Sequence, residues 1–377
     1  MTSARTPERA VIHLIVGARP NFMKIAPLWH ALCRAEEQFD SRIIHTGQHY
    51  DAEMSDVFLR QFRLPRPSHL LGVGSGTHAQ QTAAVMVAYE NVCMSERPDW
   101  IVVVGDVNST MAAAIVGKKL LLPVAHLEAG LRSFDRTMPE EINRILTDSI
   151  ADLLWTPSPD ADANLIREGV GRTQIECVGN IMIDAFEMLR EEITATKWPE
   201  RNGFAPHSYG VATLHRPANV DDPARLRLLV DALEVVATKL NLVLPLHPRT
   251  KQRLESANLL SRLSNVANLK LLPPMGYVEF MSAVASARFV LTDSGGVQEE
   301  TTYLGIPCLT LRENTERPIT ITEGSNRLVK LEALAAEVDG VLGGPMRIGQ
   351  RPALWDGKTA LRVVESLHRQ LALLQVA

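Results

Sequence analysis

Short apolar runs recur along this chain at intervals that leave room for one helix between each pair. That spacing constrains the fold more than any other feature. In the first half, Val11 to Val16, Arg42 to Thr46, Trp100 to Val104, Val124 to Leu127 and Ile175 to Val178 read as buried strands. The segments between them are helical in pattern; Thr77 to Met94, for example, keeps Ala84, Val85, Val87, Ala88 and Val92 as its apolar positions. Parallel strands need crossover connections and helices supply them, so the first half is a doubly wound α/β domain whose sheet is covered on both faces.

The pattern then repeats. After Gly179 a long helical stretch, Ile181 to Thr194, leads into a polar loop over Lys197 to His207, where the hinge is expected. Strands restart at Tyr209 to Leu214, Leu242 to Leu246, Leu269 to Leu272, Phe289 to Thr292 and Cys308 to Leu311. A helix carrying Leu226, Leu229, Val230, Leu233, Val236 and Leu240 lies among them, and an amphipathic helix over Ala360 to Leu374 comes last. A chain of 377 residues is too long for one ordinary core. The expected division is 1–195, 196–357, and a terminal helix at 358–377 that packs back on the first domain.

Each strand's carboxyl end is where open α/β sheets bind ligands, and there the sequence turns polar. Thr292-Asp293-Ser294-Gly295-Gly296-Val297-Gln298-Glu299-Glu300 is the most informative such end. Ser294 stands where an N-cap belongs, and two glycines let backbone N–H groups approach a ligand with no Cβ in the way. A helix start of this kind receives a phosphate or diphosphate. A lone Gly-Gly could equally ease an ordinary tight corner, so its context decides.

The context is rich in cations and carboxylates. Arg19 and Lys24 follow the first strand; Gly105-Asp106, Glu128 and Glu140 lie after the Trp100 and Val124 strands and at a helix start; His215-Arg216 and His247-Pro248-Arg249 end strands of the second half; Arg317 follows the Ser294 helix. Any one carboxylate could be a cap or a surface partner, and Glu140 with Arg144 has the spacing of a common helix pair. Three acids reaching one edge from separate elements suit proton transfer better than three unrelated caps. Glu300, one turn into the Ser294 helix, could accept hydrogen bonds from a ribose.

Composition narrows the classes. The formal net charge is −4 and no long Lys/Arg run occurs, which argues against nucleic acid or an anionic membrane as a partner. The four cysteines form no Cys-x-x-Cys pair, so no zinc site or disulfide framework is indicated. No signal-type apolar core opens the chain, and a cytoplasmic location is the expectation. Neither half offers G-x-G-x-x-G after its first strand, which argues against a nicotinamide oxidoreductase.

Together these segments resemble the non-hydrolysing UDP-N-acetylglucosamine 2-epimerase family. The matching stretches are Gly17 to Lys24, Thr46-Gly47-Gln48-His49, Gly105-Asp106, His126 to Arg132, Met138 to Arg144, Gly179-Asn180, His215-Arg216-Pro217, Asp293 to Glu300 and Thr315 to Pro318, in the family's order. The resemblance implies two Rossmann-like domains facing a cleft, the GT-B type. The first would carry the sugar and catalytic carboxylates and the second would bind UDP. It also implies a UDP-sugar substrate, a homodimer, and neither metal nor other cofactor. By motif, Arg19, His215, Phe280, Ser294, Gly295, Gly296, Glu300 and Arg317 would hold the nucleotide, with Lys24 nearby. Asp106, Glu128 and Glu140 would surround the sugar and, with His215, form the catalytic set. Gln48 and His49, together with His247, are the candidates for regulation by substrate.

Two segments depart from the better-known members. Pro20-Asn21-Phe22-Met23-Lys24 replaces a Pro-Glu-Ala-Ile-Lys pattern, and His215-Arg216-Pro217-Ala218-Asn219 replaces Gly-His-Arg-Arg-Glu. Relatives acting on a UDP-2,3-diacetamido uronic acid carry Arg-Pro-x-Phe-x-Lys, so that sugar is an alternative substrate. The expected reaction is C2 epimerisation by elimination and re-addition of UDP through a glycal. A hydrolysing 2-epimerase, a GT-B glycosyltransferase and a silent UDP-sugar sensor are the alternatives.

Overall fold

The computed structural model describes residues 9–47, 59–344 and 349–374, apart from the side chains of Arg19, Leu373 and Leu374. It divides into two units, Met1–Met188 with Ala353–Ala377, and Leu189–Pro352.

The first unit is built on seven parallel strands: β1 Ala10–Val16, β2 Phe39–His45, β3 His69–Leu70, β4 Trp100–Val104, β5 Val124–Leu127, β6 Leu153–Thr156 and β7 Ile175–Cys177. Their order is β3-β2-β1-β4-β5-β6-β7. Strands buried on both faces need apolar side chains in both directions, and β4, Trp-Ile-Val-Val-Val, is buried at every position. Ile101, Val103 and Val124 join Tyr89, Ala113 and Leu154 in one core cluster. The order reverses between β1 and β4, so the chain leaves their carboxyl ends in opposite directions and opens a crevice there.

The second unit repeats the plan with six parallel strands: β8 Tyr209–Thr213, β9 Asn241–Pro245, β10 Leu269–Leu272, β11 Phe289–Thr292, β12 Cys308–Thr310 and β13 Asn326–Leu328, in the order β10-β9-β8-β11-β12-β13. Its reversal lies between β8 and β11, the strands that run into His215 and Ser294. The helix Pro223–Lys239 buries Leu226, Leu229, Val230, Leu233 and Val236 in the core on this sheet.

Three strands exceed the sequence reading. β3 and β13 are two and three residues long, too short for a periodic signal, and β6 follows the end of the helix Pro139–Ile150 after two residues, so its apolar run merges with that helix's pattern. The stretch expected as one helix over Ile181 to Thr194 is two, Ile181–Met188 and Arg190–Thr196. The unit boundary falls at their junction.

The returning segment is fastened to the first unit by buried polar contacts. Trp355 Nε1 donates to Pro157 O at 2.9 Å, and Trp155 Nε1 on β6 donates to Ser366 Oγ at 2.9 Å. The helix Thr359–Leu374 packs on the helix Arg19–Arg34. Its first N–H groups, on Thr359 and Ala360, are accepted by the buried carboxylate of Asp184, at 3.1 and 2.8 Å, a cap supplied from 175 residues away. Burial raises this carboxyl from 3.8 to about 6, against the pull of those two N–H groups.

A raised carboxyl pKa means that the folded state holds the proton more tightly than the unfolded chain. Its contribution is therefore full below about pH 4 and is lost as pH rises through about 6. Asp184→Asn, neutral throughout, should gain on wild type across that window by on the order of 3 kcal/mol, less the loss of one acceptor. Melting temperatures of both proteins at mildly acidic and mildly alkaline pH check this; a difference that does not change with pH contradicts it.

Candidate active site

At the β1/β4 reversal the first unit brings four polar residues together. Asn21, in the first turn of the helix after β1, accepts the N–H groups of Gly17 and Ala18, at 3.3 and 2.8 Å, and donates to Val104 O at 2.9 Å. It ties the ends of β1 and β4. One turn on, the buried Lys24 ammonium is ion-paired with Glu128 Oε2 at the end of β5. Glu128 is held at φ +72°, a left-handed backbone that non-glycine residues rarely adopt. Gly105 lies beneath the pair at φ +67°, where an added Cβ would stand 2.9 Å from Lys24 Nζ and 3.3 Å from Glu128 Oε2.

Asp106 follows, a third exposed, with its Oδ2 2.9 Å from Arg144 Nη1. Glu140, at the start of the helix Pro139–Ile150, is exposed and has no ion pair among the described residues. Arg144 turns to Asp106 and Glu141 instead of the i,i+4 partner that the spacing suggested. Behind this edge, fully buried Asp148 accepts from His126 Nδ1 at 2.6 Å, Arg132 Nη1 at 2.7 Å and Gly130 N at 3.1 Å. Burial alone would raise its carboxyl, but His126 and Arg132 bring it below the usual range.

The second unit organises its β8/β11 reversal around Asp293, which is wholly buried. One carboxylate accepts the N–H groups of His215 and Arg216 at 3.0 and 2.9 Å and Asn219 Nδ2 at 3.1 Å, and lies 3.1 Å from His215 Nδ1. These contacts outweigh burial and depress its pKa. The His215 ring, with its side chain about one third exposed, lies 5.1 Å from that of His247. His247 is itself exposed and accepts Arg249 N–H at its Nδ1, 3.2 Å away, as the cap of the helix Pro248–Ser256.

Beside them the helix Gly295–Leu304 starts with Ser294 as N-cap, and no side chain caps it. A Cβ on Gly296 would meet nothing within 4 Å, whereas one on Gly295 would stand 2.9 Å from Arg317 Nη1. The guanidinium is thus held against the helix start, with its Nε 2.7 Å from buried Glu299. Arg312 clasps Glu316 at 2.8 and 2.9 Å, which with Arg317 drives that carboxyl far below its ordinary value despite burial. Glu300 accepts the Tyr277 hydroxyl at 2.7 Å; burial, aided by Glu299, pushes its carboxyl up to about 8, so near neutral pH it is protonated and can donate as well as accept. Phe280 is half-buried on the helix Tyr277–Ala285. One edge therefore offers an uncapped helix start with a guanidinium against it, and the other presents carboxylates.

A family model described as UDP-N-acetylglucosamine 2-epimerase matches residues 31–368. The chain belongs to that family. It is 41% identical over 365 residues to the UDP-N-acetylglucosamine 2-epimerase of Methanocaldococcus jannaschii, covering 94% of this chain and 98% of that protein. It is also 41% identical over 319 residues to the UDP-2,3-diacetamido-2,3-dideoxy-D-glucuronate 2-epimerase of Pseudomonas aeruginosa, covering 84% and 87%. The crystal structure of the M. jannaschii enzyme in complex with UDP-GlcNAc and UDP matches with a TM-score of 0.86 at 40% identity, over 95% of this chain and 99% of that one. The fold is of the GT-B type in its parts, two Rossmann-like units each with a parallel sheet.

Among the candidate residues named from sequence, Lys24, Asp106 and Glu128 gather at the first reversal, with Glu140 on the helix that holds Asp106. His215, His247, Ser294, Gly295, Gly296, Glu300 and Arg317 gather at the second. Gln48, His49 and the Arg19 side chain lie outside the described residues. Sequence reasoning missed the residues that hold the loops: Asn21, Asn143, Arg144 and Asp148 in one unit, Asn219, Asp293, Glu299 and Glu316 in the other. A signal existed for Asp293, since a carboxylate straight after an apolar strand needs buried donors.

The glycine geometries separate two substitutions. Gly105→Ala should destabilise by roughly 2 to 3 kcal/mol through left-handed backbone and a pried-apart ion pair, whereas Gly296→Ala should stay within about 0.5 kcal/mol of wild type. Urea titrations of both read this directly, and equal midpoints would contradict the packing beneath Lys24.

Proposed function

We propose that the chain interconverts UDP-N-acetylglucosamine and UDP-N-acetylmannosamine by eliminating UDP and adding it back. The observation that carries the reading is the division of labour between the two edges, an anion-receiving helix start with Arg317 against it and a carboxylate-bearing edge, in a member of this family.

The C2 proton of the sugar lies beside an acetamido nitrogen rather than a carbonyl, so deprotonation by itself yields no stabilised carbanion. Breaking the C1–O bond sends its electron pair to UDP and puts positive charge on C1 and the ring oxygen, and the C2 proton then becomes acidic. A carboxylate removes it, leaving the glycal. Protonation at C2 from the opposite face, with the diphosphate oxygen returning to C1, gives the other epimer. The base gives its proton to water and the acid is reprotonated from water, so the atoms balance over a turnover and C2 takes up a solvent proton.

Backbone N–H groups at Ser294 to Gly296, with Arg19, His215 and Arg317, would meet the charge that develops on the departing diphosphate. Donors held in advance are effective because they need not reorganise as the charge appears. Protonated Glu300 suits a ribose hydroxyl, and Phe280 would lie beside the nucleotide. Asp106, Glu128 and Glu140 would supply the proton transfers at C2. No metal or cofactor enters the scheme. A homodimer is proposed with it, as the resemblance implies; light scattering at assay concentration measures it.

A second reading has support from the Pseudomonas aeruginosa relative, which is as identical to this chain as the first-named one. The same elimination on a UDP-2,3-diacetamido uronic acid would use the same groups. Incubation with each sugar nucleotide in deuterated water separates the readings by NMR. UDP-N-acetylmannosamine deuterated at C2 is the expected product. Free N-acetylmannosamine with UDP would mean that water captures the intermediate, and exchange only with the diacetamido sugar would move the substrate assignment.

Asp106→Asn, Glu128→Gln and Glu140→Gln should each lower turnover by about 10²- to 10⁴-fold while changing UDP affinity little. Near wild-type turnover in all three would remove the carboxylates from the mechanism.

A further inference from the structure

Arg144 lies one turn beyond Glu140 on the helix Pro139–Ile150, yet its guanidinium is shared between two other carboxylates. Nη1 donates to Asp106 Oδ2 at 2.9 Å, while Nη2 stands 2.8 Å from Glu141 Oε2 and Nε donates to that oxygen at 3.2 Å. Glu141 is itself immobilised, buried and accepting the N–H groups of Ser133 and Phe134 at 3.0 and 2.8 Å. Asn143, beside Arg144, donates to the backbone carbonyl of Asp106 at 2.8 Å. One helix thus grips both the main chain and the carboxylate of Asp106, and carries Glu140 on its first turn.

We propose that Arg144, braced by Glu141, is the positioning residue that sets the Asp106 carboxylate for proton transfer at C2. This rests on the reading of Asp106 as one of the reacting carboxylates. Arg144 has the attributes the task requires. Its side chain is 3% exposed while that of Asp106 is 30% exposed, so the cation is anchored inside and the carboxylate faces outward. A guanidinium can bond two carboxylates at once in a fixed plane, which a lysine ammonium on its flexible stem does not reproduce. The pair also explains why Glu140 has no ion pair among the described residues: the cation at the helix spacing is already committed.

The test is a double-mutant cycle between Arg144→Lys and Asp106→Asn, read as kcat, KM, UDP affinity and C2 deuterium exchange. Arg144→Lys alone should lower kcat and exchange by about 10- to 100-fold, the effect of misplacing a reacting group by roughly 1 Å, with KM and UDP affinity within about 3-fold of wild type. In the Asp106→Asn background the same change should have no further effect. Wild-type turnover in Arg144→Lys overturns the proposal, as does an equal fold-loss in both backgrounds, which would mark an effect not routed through Asp106. If Arg144→Lys does not fold, a crystal structure of the wild-type protein decides: a guanidinium bonded to Asp106 supports the assignment, and one turned away overturns it. A wild type that exchanges nothing at C2 with either sugar nucleotide instead removes the functional reading, and the positioning role falls with it.

Discussion

Parallel strands satisfy their hydrogen bonds along their length, but the loops that leave their carboxyl ends have no ladder to join. In this protein those loops are held by buried side-chain acceptors, and the candidate site on each unit depends on them. Asp293 takes the N–H groups of His215 and Arg216 and the amide of Asn219. Asn21 takes those of Gly17 and Ala18, Asp148 that of Gly130, and Glu141 those of Ser133 and Phe134. An unpaired buried N–H costs about 1 to 3 kcal/mol, so each acceptor leaves its loop few alternative conformations. The backbones that carry the side chains expected to meet substrate are thus held by buried acceptors.

The charges follow the same logic. Asp148, Asp293 and Glu316 are buried, and each is kept ionised by cations or convergent donors that outweigh desolvation. Glu300 lacks such compensation and is protonated near neutrality, with Tyr277 as its donor. Buried carboxyl groups thus serve in two ways, both of them found within the second unit. Ionised ones brace loops and orient arginines, and a neutral one stands ready to exchange hydrogen bonds with a hydroxyl.

One left-handed non-glycine residue falls where chemistry is proposed. Glu128 at φ +72° and Gly105 at φ +67° lie on either side of the Lys24 ion pair. Left-handed backbone at a non-glycine residue costs about 1 to 2 kcal/mol and persists only where the surroundings over-determine it. Here the surroundings are the two N–H bonds that Glu128 and Ala129 make to Trp155 O, on a strand the sequence reading did not find. A strand whose apolar run merges with the preceding helix thereby fixes the backbone of a candidate catalytic carboxylate.

Much of this protein was legible before its structure. Apolar runs at crossover spacing determine two doubly wound units, because parallel strands buried on both faces have no other way to hide their side chains and bond their backbones. The turn from β11 into a helix at Ser294-Gly295-Gly296 was equally readable, because capping and glycine preferences are local to a few residues. What the linear order could not decide was partnership. Arg144 at i+4 from Glu140 reads as its ion-pair partner, yet the fold brings Asp106 to within 2.9 Å of it, and a strand end wins over a neighbour one helical turn away. Asp184 capping a helix 175 residues later is the same lesson. Sequence alone determined which residues lie at the strand ends; only the tertiary structure decided which charge answers which, because Coulomb attraction and hydrogen bonding act through distances that packing, not chain order, sets.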